Sequence, residues 1–475
     1  MTHRTLVAVL TLILGCSLNA AAQSSKGKPR IMQGPMIGYT TPDSIGIWCR
    51  VNGPWEVQIQ WSSTPDFAQS NLSSAQTADK QQDYILKFMI GGLEPNKDYY
   101  YKVLVDGHVD PYLEAYMPFR THTSPAPEWT GRFSVGFGSC ARYQADQEQR
   151  IWLQVERAQP DLFFWTGDNI YGDAIDPDIL AEEYRRQRDV AGFGPVQRSI
   201  PQLATWDDHD FGLNNHDRNH PGKADALSVF REYWYNPSYG LPGTPGVFFA
   251  YSYGPVDFFF LDDRYYRDPN KEQDHPGKTM LGSEQLAWLQ DGLKESSAVF
   301  KVLVSGSGWT KAKGAGGDSW ASYINERDAL FSFIRDSNIE GVILLSGDTH
   351  VAELNAVPWS QNGGYDMYDL TSSPLAQSTE RGSWLERRPE LRIRPVYFNS
   401  TNFGMLEFDL DRPDPQLTYN VINEDGVPVW KPFILRASEL RNGVSSWESK
   451  IDRTEKQRME NHHAGKGYYE RIGGE

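Results

Sequence analysis

Four apolar segments of this chain end on polar clusters of the same kind. "SVGFGSC" stops at Cys140, and "LFFWTGDNIYGD" delivers Asp168, Asn169, Tyr171 and Asp173. "LATWDDHD" runs into Asp207, Asp208, His209 and Asp210, and "VILLSGDTH" closes on Asp348 and His350. A continuous apolar run of strand length reads as a strand buried on both faces. Helical periods lie between these runs, in "QEQRIWLQVERAQ", "PDILAEEYRRQRDV", "SEQLAWLQDGLKES" and "NERDALFSFIRDS". Buried strands alternating with helices specify an α/β domain with covered sheet faces. In such folds the loops beyond the carboxyl ends of the strands converge on one crevice. The pattern predicts that Cys, Asp, Tyr and His side chains from four separate segments meet there.

That meeting has an electrostatic consequence. Two carboxylates about 4 Å apart repel by roughly 4 kcal/mol at an effective dielectric near 20, or about three pKa units. Such a cluster holds either protons or cations. Oxygen donors combined with imidazole suit Zn, Fe, Mn or Ca rather than copper. Each piece alone has a plain structural use: an Asp after a strand caps a helix or bends a turn, and a free Cys behaves as a small core residue. Four such pieces, each at a strand end, point to a metal centre.

With 475 residues the chain is too long for one ordinary core. From about Gly34 to Arg120 short alternating strands such as "DSIGIWCRV", "WEVQIQWSS" and "DYILKFMIGGL" predict a small β-sandwich, placed at 30–125. Its "GGLEPNKDYYYKVLVDG" stretch resembles a fibronectin type III domain. "THTSPAPEWTG" reads as the linker to the α/β domain, placed at 130–440. Within that domain, strands from Asp369 to Leu435, including "PVYFNS", are expected to complete a second sheet. The residues from 446 to 475 read as a polar, loosely ordered tail.

The start of the chain has the charge order of an export signal. Arg4 precedes an apolar run from Leu6 to Leu14, and Ala20-Ala21-Ala22 offers a cleavage site, so 1–22 is expected to be a signal peptide. Cys16 also resembles a lipoprotein acylation site. The expected location is periplasmic or secreted, with membrane attachment only if Cys16 is lipidated. The other cysteines, Cys49 and Cys140, are expected as buried free thiols. A formal net charge of -16 argues against nucleic-acid binding. It also makes an anionic substrate hard to hold without metal cations.

"GSC", "TGDNIYGD", "TWDDHDFGLNN", "FFFLDDRYYRD", "LGSEQLAWLQDGL", "DSWASYINERDAL" and "LLSGDTHVAEL" occur in the order and spacing of PhoD-like alkaline phosphatases and phosphodiesterases, within the calcineurin-like metallophosphoesterase superfamily. The chain resembles that family over roughly Arg132 to Val357, with the sandwich in front. The resemblance implies two stacked sheets flanked by helices (αββα). It implies Asp168 as a ligand bridging two metals, Cys140 and Tyr171 as thiolate and phenolate ligands of a ferric ion, and Asp208, Asp348 and His350 as further ligands. Asn214 would complete the second metal's shell, His209 would act as general acid or phosphate donor, and Arg264 would clamp phosphate. The cofactors implied are Fe3+ and Ca2+, with Zn2+ or Mn2+ as alternatives. The reaction implied is hydrolysis of a small phosphoester by a metal-bound hydroxide. Three departures stand out: "GSC" replaces the superfamily's Asp-x-His, "LNN" replaces an Asn-Asp pair, and Asp263 stands where Thr is commoner. Two other readings remain open, phosphodiester cleavage as the main activity and a non-catalytic surface protein binding glycans through its aromatic residues.

Overall fold

The computed structural model describes residues 27–380 and 387–463. The expected signal peptide and Cys16 lie outside the described residues, as does the far end of the C-terminal tail.

The N-terminal unit is a β-sandwich. Its principal strands are β1 (Ile31–Thr40), β2 (Ser44–Val51), β3 (Glu56–Ser62), β4 (Ile85–Gly91), β5 (Asp98–Val105) and β6 (Phe119–His122). They form a β1–β2–β4 sheet and a second sheet built on β3, β5 and β6. In β5 every second residue is buried, as the period-2 geometry of a strand requires. Cys49 is a buried free thiol in this core. The expected linker is less open than its composition suggests, because Thr121, Thr123 and Ser124 are buried.

The catalytic domain opens with β7 (Arg132–Gly138), α1 (Ile151–Ala158), β8 (Leu162–Thr166), α2 (Pro177–Arg188), α3 (Phe193–Ser199), β9 (Gln202–Thr205), α4 (Asp208–Phe211) and α5 (Lys223–Tyr233). It continues through β10 (Phe249–Tyr253), β11 (Val256–Phe260), α6 (Ser283–Glu295), β12 (Phe300–Val304), α7 (Ile324–Asp336), β13 (Val342–Ser346), β14 (Glu353–Val357) and β15 (Met367–Thr371). It ends with β16 (Leu391–Arg392), β17 (Asn402–Asp409), β18 (Gln416–Asn423) and β19 (Phe433–Arg436). One sheet has the order β9–β8–β7–β17–β18–β19, the other β10–β11–β12–β13–β15–β14–β16. The last three strands therefore extend the sheet of β7 through successive antiparallel pairings, β7 with β17, β17 with β18 and β18 with β19. "PVYFNS" is not a strand; Tyr397 makes only an isolated bridge with Ala352.

The two sheets stack through aromatic side chains. Phe164 of β8 meets Phe258 and Phe260 of β11 edge-on, at 4.8 and 4.9 Å between ring centres. Such pairs add about 0.5–1.5 kcal/mol beyond their burial. Helices α1, α2, α3 and α5 cover the outer face of the β7–β9 sheet through Trp152, Tyr184, Phe193 and Phe230. Helices α6 and α7 cover the other sheet through Leu289, Leu330 and Phe331. This is the αββα arrangement expected.

Parallel, in-register pairing brings strand ends to one level: β7 with β8, β8 with β9, and β13 with β15. Thr205 then donates across the sheets to Leu261 O at 2.6 Å. Gly347 is required at this junction, because a Cβ there would sit 2.3 Å from Thr166 O and 2.6 Å from Ser139 Cβ. The sandwich steadies the helices behind the junction. Lys87 of β4 donates to the carbonyls of Arg231 and Trp234 at the end of α5, at 2.5 and 2.6 Å. Arg50 and Arg185 both hold Asp83, at 2.8 and 2.7 Å.

The polar tail expected from Ser446 begins as docked structure. Helices α8 (Trp447–Lys450) and α9 (Arg453–His463) follow, and Ser446 N and Trp447 N both donate to buried Asp366, at 2.8 and 3.0 Å. Glu455 is fully buried. Local polarity cannot reveal that a distant carboxylate anchors such a segment.

Candidate metal centre

The strand ends meet as the sequence pattern requires. Among the described residues, four trios of donor atoms lie mutually within 4.8 Å: Cys140–Asp168–His350, Asp168–Asp208–His209, Asp168–Asp207–Asp348 and Asp207–Asp208–Asp318. Asp168 belongs to three of them. Tyr171 Oη lies 2.9 Å from His350 Nε2 and so joins the first trio. Cys140, Asp168, Asp348 and His350 adopt left-handed backbone, with φ of 59, 51, 67 and 54°. A non-glycine residue held there costs on the order of 1–3 kcal/mol and is kept only where the surroundings impose it. Here close hydrogen bonds do so: Ala141 N donates to Asp168 O at 2.9 Å, Asp348 N to Ser139 Oγ at 3.1 Å and His350 N to Ser373 Oγ at 3.1 Å.

These groups resist ionising without a cation. Burial, then the neighbouring Asp208 and Cys140, push the Asp168 carboxyl well above its ordinary range. Burial and Asp348 push the Cys140 thiol up to about 11, and burial raises the Tyr171 phenol well above its usual value. Burial lowers the basicity of His350, leaving its imidazole neutral and able to ligate. Asp207 Oδ2 and Asp208 Oδ1 are buried and accept no hydrogen bond. Buried, unsatisfied carboxylate oxygens beside a thiol, a phenol and an imidazole fit a multivalent cation well.

The acids of "DDHD" divide into separate roles. Asp208 faces the cluster. Burial opposes its ionisation, but Arg264, His209 and the backbone N–H of Asn215 together hold its pKa below the ordinary value. Asp210 is scaffold: it accepts from Asn169 N at 3.1 Å, Asp207 N at 3.2 Å and Tyr184 Oη at 2.8 Å, tying two ligand loops together. Asp207 is fully buried against Arg264.

Arg264 departs from its expected role. It is fully buried, ion-paired with Asp207 and bound through both terminal nitrogens to Asp318, at 3.2 and 2.8 Å. A guanidinium committed to two carboxylates inside the protein frames the ligands rather than clamping a phosphate. Asp263 is likewise buried, held by Ser305 Oγ and by Ser307 N at 3.1 Å. Asn214 is exposed; the backbone N–H of Asn215 reaches Asp208, at 2.7 Å. His209 Nδ1 lies 2.5 Å from Asp173 Oδ1, and its ring stacks on Tyr171 at 4.1 Å. Burial works against protonation of His209, but Asp168 and Asp173 raise its pKa to about 10.

Asp173, Asp207 and Asp318 are members of the site that sequence reasoning did not assign. Asp173 follows Asp168 on the same loop, a signal that a search for the histidine's partner would have used. Asp318 lies far along the chain, in "DSWASYINERDAL", and carries no local signal.

Paired sheets with helices on both outer faces gather metal-type donors at the strand tips. The chain belongs to the PhoD-like phosphatase family, whose model matches residues 133–412; the model of that family's N-terminal domain matches residues 16–123. Alkaline phosphatase D of Bacillus subtilis (strain 168) is 26% identical over 404 residues, covering 72% of this chain and 67% of the relative. A structure of PhoD superposes with a TM-score of 0.72 at 20% identity, covering 90% of this chain and 95% of the other. A purple acid phosphatase from yellow lupin (Lupinus luteus) seeds does so at 0.62 and 13% identity, covering 86% and 74%. The two structures establish the fold, and family membership makes the chain a phosphoric ester hydrolase. The non-catalytic reading is thereby set aside.

Proposed function

We propose that this protein is an exported alkaline phosphatase that hydrolyses small phosphomonoesters at a centre of two or more cations sharing Asp168. The observation that carries this reading is the place of Asp168 in three overlapping donor trios. Cys140, Tyr171 and His350 flank it on one side, a donor set suited to Fe3+. Asp208, Asp207 and Asp348 lie on the other, an oxygen-rich set suited to Ca2+ or Mn2+. Cations held there would polarise the phosphoryl oxygens and bring the pKa of bound water toward neutrality.

The protein's own groups do the rest. His209, fixed by Asp173 at 2.5 Å, would protonate the departing alkoxide. Stacking on Tyr171 orients the His209 ring. Arg264 and Asp318 hold Asp207 and Asp208 in place. Export follows from the 1–22 leader, with the mature protein periplasmic or secreted, and anchored only if Cys16 is lipidated; the mass of the mature N-terminus tests this. Asp168→Asn should abolish turnover and lower the metal bound per chain; an active, fully loaded variant would remove the bridging role. Rates on a paired monoester and diester decide between phosphatase and phosphodiesterase as the main activity. The absorption spectrum and metal content of the native protein distinguish Fe3+ from Zn2+.

A further inference from the structure

An acidic chain that binds phosphate needs fixed positive charge at the mouth of its site. Most cations near the centre are already engaged. Arg264 and Arg267 are buried on Asp318, Lys313 is bound to Asp348, and Arg387 reaches Glu353 and Thr349 O. Arg142 differs. Its side chain is exposed, and among the described residues its guanidinium has no carboxylate partner; it lies over the ring of Tyr171, 5.2 Å from the centroid. That same ring stacks on His209, and its hydroxyl touches His350. Arg142 therefore stands beside the reacting groups with its donors uncommitted.

Its base is rigid. Arg142 N donates to Ala376 O at 2.8 Å, and Arg142 O accepts from Ala145 N and Asp146 N at 3.0 and 3.2 Å. The adjacent Ala141 bridges Ala376 and donates to Asp168 O. A backbone tied to both neighbouring loops fixes where the side chain starts, while the side chain itself stays free to meet a ligand. A planar fork of five donors suits phosphate oxygens.

We infer that Arg142 is a specificity-determining residue that binds the second negative charge of a phosphomonoester dianion, a charge that a diester lacks. The inference rests on the phosphomonoester reading proposed above. The test uses metal-loaded full-length protein, with p-nitrophenyl phosphate, bis(p-nitrophenyl) phosphate and inorganic phosphate as probes. Arg142→Ala should raise KM for the monoester and the inhibition constant of phosphate together, each roughly tenfold, the size of one charge-assisted hydrogen bond. KM for the diester should rise by clearly less, and Arg142→Lys should recover part of the loss. The melting temperature and metal content report whether the fold and centre survive. Monoester KM and phosphate inhibition that stay at wild-type values would overturn the assignment. So would equal losses of kcat on both substrates accompanied by lost metal. A wild-type protein that cleaves only the diester would instead defeat the monoester reading itself, and the inference with it.

Discussion

Replacing Arg264 with Met separates a framing arginine from a phosphate clamp. Met fills much of the same buried volume, so the cavity contribution is small. The charge contribution is not. The Arg264 side chain is 0% exposed, and its partners Asp207 and Asp318 are 0% and 9% exposed. In the variant Arg267 still holds Asp318 at 2.8 Å, but Asp207 keeps no cationic side chain beside it. Removing one partner of a buried ion pair costs about 3–5 kcal/mol, a fall in Tm on the order of 10 °C for a domain of this size.

The pH dependence of that loss has a definite sign. Burial already raises the Asp207 pKa against the pull of Arg264, and the variant raises it further. Both folds keep the Asp207 proton below the raised wild-type pKa, so the deficit grows only as pH rises past that value, where wild type ionises beside Arg264 and the variant does not. Burial opposes ionisation of Asp318, but Arg264 and Arg267 hold its pKa low; that stability is present above the unfolded pKa and lost in acid. Weakening it also widens the gap at higher pH. Thermal melts of wild type and Arg264→Met at pH 5 and pH 8, with and without chelator, read this directly. An unchanged Tm at both pH values together with a KM for substrate raised roughly tenfold would refute the framing role and restore the clamp.

Two further outcomes concern an exposed acid beside His209 and a buried one on α7. Asp173→Asn removes the anion beside His209, so kcat should fall by about ten- to a hundredfold and the alkaline limb of its pH profile should move to lower pH, with bound metal unchanged; an unmoved limb counts against the pair. Burial pushes Glu326, which accepts from Thr279 Oγ1 at 2.9 Å and from Met280 N, up to about 7. Its stabilising contribution is complete below the unfolded pKa and fades as pH rises to about 7, so Glu326→Gln should flatten Tm against pH across that window; a slope identical to wild type would show that Glu326 does not set it.

Much of the architecture is legible because it is local. Strands such as "LFFWT" and "VILLS" are continuous apolar runs, and β7, β8, β12 and β13 fall where those runs lie. Helices α1, α2, α6 and α7 follow their 3.6-residue periods. Where local pattern misleads, the cause is a distant partner. "PVYFNS" has strand composition but no neighbouring edge to pair with beyond one bridge, and the residues after Ser446 look like solvent-exposed tail until Asp366 is placed beneath them.

The chain's own order of residues determined that strands would stop at Cys140, Asp168, Asp208 and Asp348, because the switch from apolar run to polar loop is written within a few positions. Which acids would share a cation, and which would be neutralised by arginine, was decided only when the sheets stacked. Asp318 reaches Arg264 across 54 positions of chain, and Asp207 and Asp208 differ in role although they are adjacent. Coulomb energy depends on separation and burial in space, and neither quantity exists until distant segments pack.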